Sequence, residues 1–264
     1  MTDYQFVDSV DSLPGELASQ DLVGVDTEFM REKTFVAQLC LVQLSAPEHI
    51  YFVDPLDGSD LKSFWDELMR KTWVLHSARQ DIEVVSQTAG AMPSAIFDTQ
   101  IAAGLLGMAP QLGYATLARD LFDVELPKSH TRADWTRRPL ADGLLHYAAE
   151  DVEYLLPAYE FLGECLERKG RLEWAQEDSA TLLDPALYTI DPARAISRLK
   201  GARNLRGQAR TAAVRLAEWR ESEALRRNRP RQWIARDAVL LELATKRPAD
   251  RDALAELDGM PPKL

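Results

Sequence analysis

Cysteine and histidine are scarce in this sequence, two and four residues among 264. Cys40 and Cys165 form no CxxC pair and each sits in an apolar run, so they read as buried thiols. A disulfide framework and a thiolate zinc site are thereby set aside. His76, His130 and His146 lack any HxxxH-type spacing, which argues against an imidazole zinc site as well. No run of 18 or more apolar residues occurs, and the opening MTDYQFVDSVDSLPGEL has neither a basic n-region nor an apolar h-region. Membrane insertion and secretion are not expected, and a cytoplasmic protein is. Gly (13) and Pro (14) are not enriched, and neither internal repeats nor low-complexity segments occur, which excludes collagen-like and wholly disordered classes. A chain of this length with 46% hydrophobic residues can bury a core, as one large domain or a large one plus a small one.

Positive charge is also in deficit. The formal net charge of −11 speaks against a nucleic-acid partner until it is divided along the chain. Residues 193–264 carry 17 Lys and Arg against 9 Asp and Glu, whereas residues 1–192 carry 14 against 33. An acidic body therefore carries a basic tail. The tail fits either a solvated face or a nucleic-acid-binding one, and the body either ordinary surface or carboxylates gathered for metal ions.

Leu22 to Thr27, Phe35 to Leu44 and Ile50 to Val53 read as strands from their Val, Ile, Leu and aromatic content. The links EFMREKT and SAPEH are too short for parallel crossovers, so these three are expected to be antiparallel neighbours. Helical patterns at about 60–71, 78–89 and 99–107 then alternate with the short apolar runs WVLH and AIFD. This order predicts an α/β fold with a mixed sheet, antiparallel at first and parallel later, with helices on its faces. A long helical pattern near 142–170, which Pro157 should kink or shorten, precedes the Asp184-Pro185 and Asp191-Pro192 turns. The domain boundary is placed there, at 190/191. The tail then reads as three or more short amphipathic helices, separated by Pro230 and Pro248.

Three acidic elements could carry chemistry. Asp26 and Glu28 end an apolar strand at i and i+2, so both carboxylates lie on one face. Side by side they repel, which raises one pKa or calls for a hard divalent cation such as Mg²⁺ or Mn²⁺. A lone Asp-x-Glu nevertheless arises about once or twice by chance in so acidic a chain. Ser77 and Gln80 fit a capping box that starts a helix near Ala78 and puts Asp81 in its first turn, where an acid also simply suits the helix dipole. Tyr147 and Asp151, at i and i+4, share one helical face, although Tyr147 could equally join the apolar stripe of Leu144, Val152 and Leu155.

In this order, the three elements resemble the DEDD superfamily of 3′-5′ exonucleases, in the branch whose third motif contains tyrosine. The segments VDTEFMREKTFVAQLCLVQL, FDTQIAAGLLG, YATLARDLF and DWTRRPLADGLLHYAAEDVEYLLP are similar to the ribonuclease D family, over roughly residues 3–190. The stretch LAEWRESEALRRNRPRQWIARDAVLLELATKRP is similar to the helicase-and-RNase-D C-terminal (HRDC) domain, a helical nucleic-acid-binding module. The resemblance implies an RNase H-like mixed sheet flanked by helices over 1–190 and a small all-α HRDC-like module over 191–264. That module is expected to be partial, because GMPPKL comes where it would continue into a further helix.

The resemblance also implies a two-metal-ion 3′-5′ exoribonuclease that releases 5′-monophosphates, acting as a monomer on RNA 3′ ends, chiefly tRNA precursors. Asp26 would bridge two divalent ions (Mg²⁺ or Mn²⁺), Glu28 and Asp151 would complete the nucleophile-side site, and Asp81 would help hold the leaving-group-side ion. Tyr147 would orient the attacking water. Contacts to the terminal nucleotides are implied for the backbone near Thr27 and for the apolar surfaces of Phe29 and Met30. Gln80 could point at the substrate, though its capping role is the simpler reading. Lys128, Arg132, Arg137 and Arg138 form the largest basic cluster of the acidic body, and Lys128 and Arg138 are taken as phosphate contacts. Trp135, just before the Arg138-Pro139 turn, reads as a packing residue. Two alternatives stay open: a DNA-directed exonuclease of the same superfamily, and a catalytically silent RNA-binding protein. Sugar choice depends on readout of a 2′-hydroxyl, which no short motif here reveals.

Overall fold

The apolar runs of the first 100 residues assemble into one six-stranded sheet ordered β1-β4-β3-β2-β5-β6. The computed structural model describes every residue except 1–3, 8–12, 128–132, 256 and 258–264. In chain order the elements are β1 (Tyr4–Phe6), α1 (Gly15–Ser19), β2 (Leu22–Met30), β3 (Gln38–Ser45), β4 (Ile50–Val53), α2 (Lys62–Leu68), β5 (Thr72–Leu75) and α3 (Arg79–Ala89). They continue with β6 (Ala95–Asp98), α4 (Thr99–Leu105), α5 (Tyr114–Phe122), α6 (Asp142–Glu153), α7 (Leu155–Arg168) and α8 (Leu172–Ala180). The antiparallel meander β2-β3-β4 and the parallel pairs β2-β5 and β5-β6 match the expected mixed sheet. The three-residue β1 pairs parallel to β4 and is an addition to the expected strands.

β3 is buried along nearly its whole length, as a central strand covered on both faces should be. Its register with β2 pairs Asp26 with Gln43 and Glu28 with Leu41, then slips so that Phe29 faces Leu39. Cys40 is the extra residue of this β-bulge, which interrupts the regular ladder just beyond Glu28. Gly24 is required by close approach: a Cβ there would lie 2.1 Å from Ser45 Oγ and 3.1 Å from Leu155 Cβ.

The helix-rich third of this unit breaks at Tyr154, so α6 and α7 are separate helices, and Pro157 falls in the first turn of α7, where it costs no hydrogen bond. α6 lays Leu145, Ala148, Ala149 and Val152 against a cluster that contains Leu41, Ile50, Phe52 and Val74 of the sheet. The small side chains of Ala148 and Ala149 are fully buried, and they let the helix sit close to the strands. Trp135 is buried in the same cluster, as a packing residue.

The capping box expected at Ser77 is absent. Ser77 adopts φ +61, and α3 has no side-chain cap. The residues that lead into α3 are held across the sheet instead, by Asp98, which is itself the N-cap of α4. Its carboxylate accepts the N–H groups of Ser77 (3.2 Å) and Ala78 (2.8 Å), and those of Gln100 (2.8 Å) and Ile101 (3.3 Å) at the start of α4.

By internal contacts the chain forms two units, Met1–Met30 with Gln38–Tyr188, and Thr189–Leu264 with Arg31–Ala37. The division departs from a simple cut at 190/191 in that Arg31–Ala37, between β2 and β3, groups with the second unit. There Phe35 and Val36 donate backbone N–H groups to Asn228 Oδ1, each at 3.0 Å. The second unit opens with 3₁₀ turns and continues with α9 (Gly207–Arg227), α10 (Arg231–Ile234), α11 (Asp237–Lys246) and α12 (Arg251–Ala255). Its own core is built on Leu199, Ala213, Ala217, Leu240 and Leu243. Buried Glu221 accepts from Arg198 at 2.9 Å and Arg231 at 2.7 Å, and buried Arg220 pairs with Asp237 at 2.6 Å. Among the described residues no helix is long and apolar enough to cross a membrane.

Because α6 depends on small residues for its close seat, Ala148→Leu should overpack the sheet-facing side and destabilise the fold by about 1–3 kcal/mol. Urea denaturation followed by circular dichroism measures this. Wild-type stability in Ala148→Leu would contradict the close-packing account.

Candidate active site

The last turn of pleat in β2 presents Asp26 and Glu28 on the face covered by α6, as the strand period of two requires. Asp151 arrives from the third turn of α6. One carboxylate oxygen from each of Asp26, Glu28 and Asp151 can be chosen so that all three lie within 4.8 Å of one another. Asp81, in the first turn of α3, is buried and accepts a 2.6 Å hydrogen bond from the Thr27 hydroxyl. Asp81 stands outside the tight trio, yet its charge acts on Asp26 and Glu28.

Burial dominates the electrostatics here, and the mutual repulsion of the acids adds to it. Asp26 is pushed well above the usual carboxylate range by desolvation, then by Asp81, Asp151 and Glu28, with only a Thr27 backbone hydrogen bond opposing. Glu28 is pushed from 4.5 up to about 8 by burial and by Asp151 and Asp81. Asp81 and Asp151 are raised as well, chiefly by burial. Among the described residues no lysine or arginine forms an ion pair with any of the four. A close set of oxygen donors, half-buried at Asp26, Glu28 and Asp151 and buried at Asp81, fits a hard divalent cation.

Tyr147 is half-buried one helical turn before Asp151, near enough for phenol and carboxyl to act on each other's titration. Burial and the charges of Asp151, Glu28 and Asp26 raise its phenol, which stays protonated at neutral pH. The ring lies 6.3 Å from that of Trp135, so part of its face belongs to the core. Tyr114, absent from the sequence reading, is partly buried nearby. Its hydroxyl accepts the Tyr154 N–H at 2.9 Å and is raised by burial and, more weakly, by Asp151 and Asp26.

The residues expected to meet substrate divide differently. Phe29 and Met30 are half-exposed at the bulged end of β2, with Met30 also packed on the α6 cluster. The hydroxyl of Thr27 is committed to Asp81. Gln80 is exposed in α3 and makes no cap, which removes its simpler role.

Arg138, expected at a phosphate, has partners within the protein. It pairs with Asp54, with Nη2 to Oδ1 at 2.6 Å, and also donates to the carbonyls of Cys40 (2.6 Å) and Trp135 (2.9 Å). The guanidinium thus fastens the bulge and leaves little of itself for a phosphate. Lys128, Arg132 and His130 lie outside the described residues. Arg137 is exposed and sits 3.6 Å from Asp134. His76 binds Thr99 and the Leu112 carbonyl, and His146 the Asp142 carbonyl, so both have structural partners.

The sign of the pKa shifts sets a stability test. Between 4.5 and about 8 the folded protein keeps a proton on Glu28 that the unfolded chain has released, so stability falls as pH rises through that window. In chelator, Glu28→Gln is expected to remove part of this slope and to melt several degrees above wild type at pH 8. Thermal melts from pH 5 to 8 read it. A variant melting below wild type at pH 8 would contradict the repulsion account.

Family comparison adds independent findings. A 3′-5′ exonuclease family model matches residues 7–167, and an HRDC domain model matches residues 210–264. Ribonuclease D of Acidiphilium cryptum is 43% identical over 255 residues, covering 94% of this chain and 64% of the relative, so this chain spans less than two thirds of it. The crystal structure of Escherichia coli RNase D, described as an exoribonuclease involved in structured RNA processing, superposes with a TM-score of 0.86 at 30% identity. That match covers 97% of this chain and 70% of the other, and the two share the RNase H-like mixed sheet followed by helices. A structure of Brucella melitensis NrnC with bound Mg²⁺ matches at 26% identity and a TM-score of 0.59, covering 78% of this chain and 98% of that one. This chain belongs to the 3′-5′ exonuclease family and, within it, to the ribonuclease D group.

Proposed function

We propose that this protein is a metal-dependent 3′-5′ exoribonuclease that removes 3′-terminal nucleotides as 5′-monophosphates, with 3′-extended tRNA precursors as its substrates. The observation that carries the reading is the convergence of Asp26, Glu28, Asp81 and Asp151, acids 125 residues apart at the extremes, around one half-buried spot beside Tyr147. Membership of the ribonuclease D group supports the choice of RNA over DNA.

Asp26, Glu28 and Asp151 would hold one divalent cation, and Asp26 with Asp81 a second. When bound, the pair would stabilise charge on the attacking and leaving oxygens of the phosphodiester and make hydroxide available near neutral pH. The protein's own groups do the remaining work. Tyr147, one helical turn before Asp151 and beside the acids, would orient the attacking water as a hydrogen-bonding group. Its raised pKa makes it a poor general base. Thr27 fixes the rotamer of Asp81 through the 2.6 Å bond. Phe29 and Met30 would offer an apolar surface to the terminal base or sugar, a kind of contact that tolerates any base. Exposed Gln80 would reach the substrate as a polar contact. We place the enzyme in the cytoplasm as a monomer.

The test uses 5′-labelled, 3′-extended RNA and matched DNA with Mn²⁺, with Mg²⁺ and with chelator. Stepwise shortening of the RNA is expected, lost in chelator and in Asp26→Ala. Tyr147→Phe should slow it by roughly 10²-fold, in line with the loss of one oriented hydrogen bond at a reacting centre. Faster shortening of DNA would redirect the reading to a deoxyribonuclease. Binding without shortening under every metal condition, or full activity of Asp26→Ala, would overturn it.

A further inference from the structure

Directly across the β2-β3 ladder from Asp26 stands Gln43. Cross-strand partners point to the same face with their Cβ atoms about 4.5–5.5 Å apart, so this amide shares the acidic face. Gln43 is fully buried, and neither Nε2 nor Oε1 has a hydrogen-bond partner. Its cross-strand neighbour on the other side is Phe52. Leu41 and Phe52 of this face, with Ala148 of α6, belong to one apolar cluster. An amide buried among such groups without a partner is unfavourable, and packing alone would be better served by leucine or methionine. Two residues along the same face, Ser45 Oγ is likewise buried and unpartnered. Such orphaned groups are rare in folded proteins and call for a physical reason.

The reason lies across the ladder. A carboxylate that ligates a cation keeps further acceptor sites, and ligating carboxylates are commonly hydrogen-bonded by a neighbour that sets their orientation. We propose that Gln43 is a positioning residue whose amide N–H donates to the Asp26 carboxylate when Asp26 holds a divalent cation, fixing the direction in which Asp26 presents its ligand oxygen. The proposal rests on the metal-site reading of the four acids and adds a group that is no ligand. It also explains why a costly amide occupies an apolar position: its partner is engaged only in the metal-loaded state.

The full-length chain carrying Gln43→Met or Gln43→Leu separates this role from a structural one. Each protein is melted in chelator and in Mn²⁺, and Mn²⁺ binding is measured by titration calorimetry without nucleic acid. In chelator both variants should melt at or above the wild-type temperature, since a buried orphan amide has been removed. In Mn²⁺ both should gain less stability than wild type, with affinity weakened on the order of 10-fold. Wild-type Mn²⁺ affinity in both variants overturns the proposal while leaving the metal site intact. Failure of both variants to fold, or melting several degrees low in chelator, also overturns it, because the amide would then hold the metal-free fold. No Mn²⁺ binding by wild type removes the metal site itself, and the role of Gln43 with it.

Discussion

Carboxylate repulsion in a half-buried setting is the constraint around which this fold is arranged. At the spacing of the Asp26, Glu28 and Asp151 oxygens, two unit charges repel by roughly 3–4 kcal/mol at an effective dielectric near 20. Nothing in the local sequence would gather them. What does so is apolar: α6 is held to the sheet by Leu145 and Val152 against Leu41, Phe52 and Val74, each worth about 1.5–3 kcal/mol when buried. The core therefore imposes the convergence, and the acids respond by holding protons or recruiting a cation. Raised carboxyl groups at Asp26 and Glu28 are the record of that conflict in the metal-free protein.

Two neighbouring acids show how the same fold separates a structural carboxylate from an available one. Asp98 and Asp81 both follow parallel strands and both are buried. Asp98 is saturated: four backbone N–H groups from the starts of two helices converge on it. Among the described residues, Asp81 is held by the side chain of Thr27 alone, and its carboxyl is raised by burial. Hydrogen-bond saturation is thus what makes Asp98 a cap. Incomplete satisfaction leaves Asp81 with acceptor capacity toward the site.

Legibility in the sequence follows the range of each interaction. Asp26 with Glu28, and Tyr147 with Asp151, could be placed because the periods of strand and helix put them on common faces, and the apolar runs of β2 to β6 announced themselves by composition. The misreadings all involve partners remote in the chain. Ser77 and Gln80 satisfy a local capping rule, yet the residues that lead into α3 are held by Asp98, some 20 residues on. Arg138 has the look of a free cation in its own segment, but Asp54 lies 84 residues away in the chain. β1 has three residues, too few for any periodicity, and exists because β4 offers it an edge. The orphan amide of Gln43 was invisible for the same reason, since only the register reveals what faces it.

Charge bookkeeping along the chain then changes what the basic tail means. Several of its arginines are already committed inside the second unit: Arg198 and Arg231 to Glu221, Arg220 to Asp237, and Arg226 and Arg227 to Glu223. In the first unit Arg138 is spent on Asp54. Among the described residues no cation is ion-paired with the four acids, so in the metal-free site they hold protons and offer a phosphodiester no positive charge to bind. On the proposed mechanism, divalent cations would displace those protons and supply the positive charge that draws in a nucleic-acid end. Metal and substrate binding are then linked, each strengthening the other by the same factor. The repulsion that makes the metal-free site unfavourable is what makes its affinity for RNA conditional on the cation.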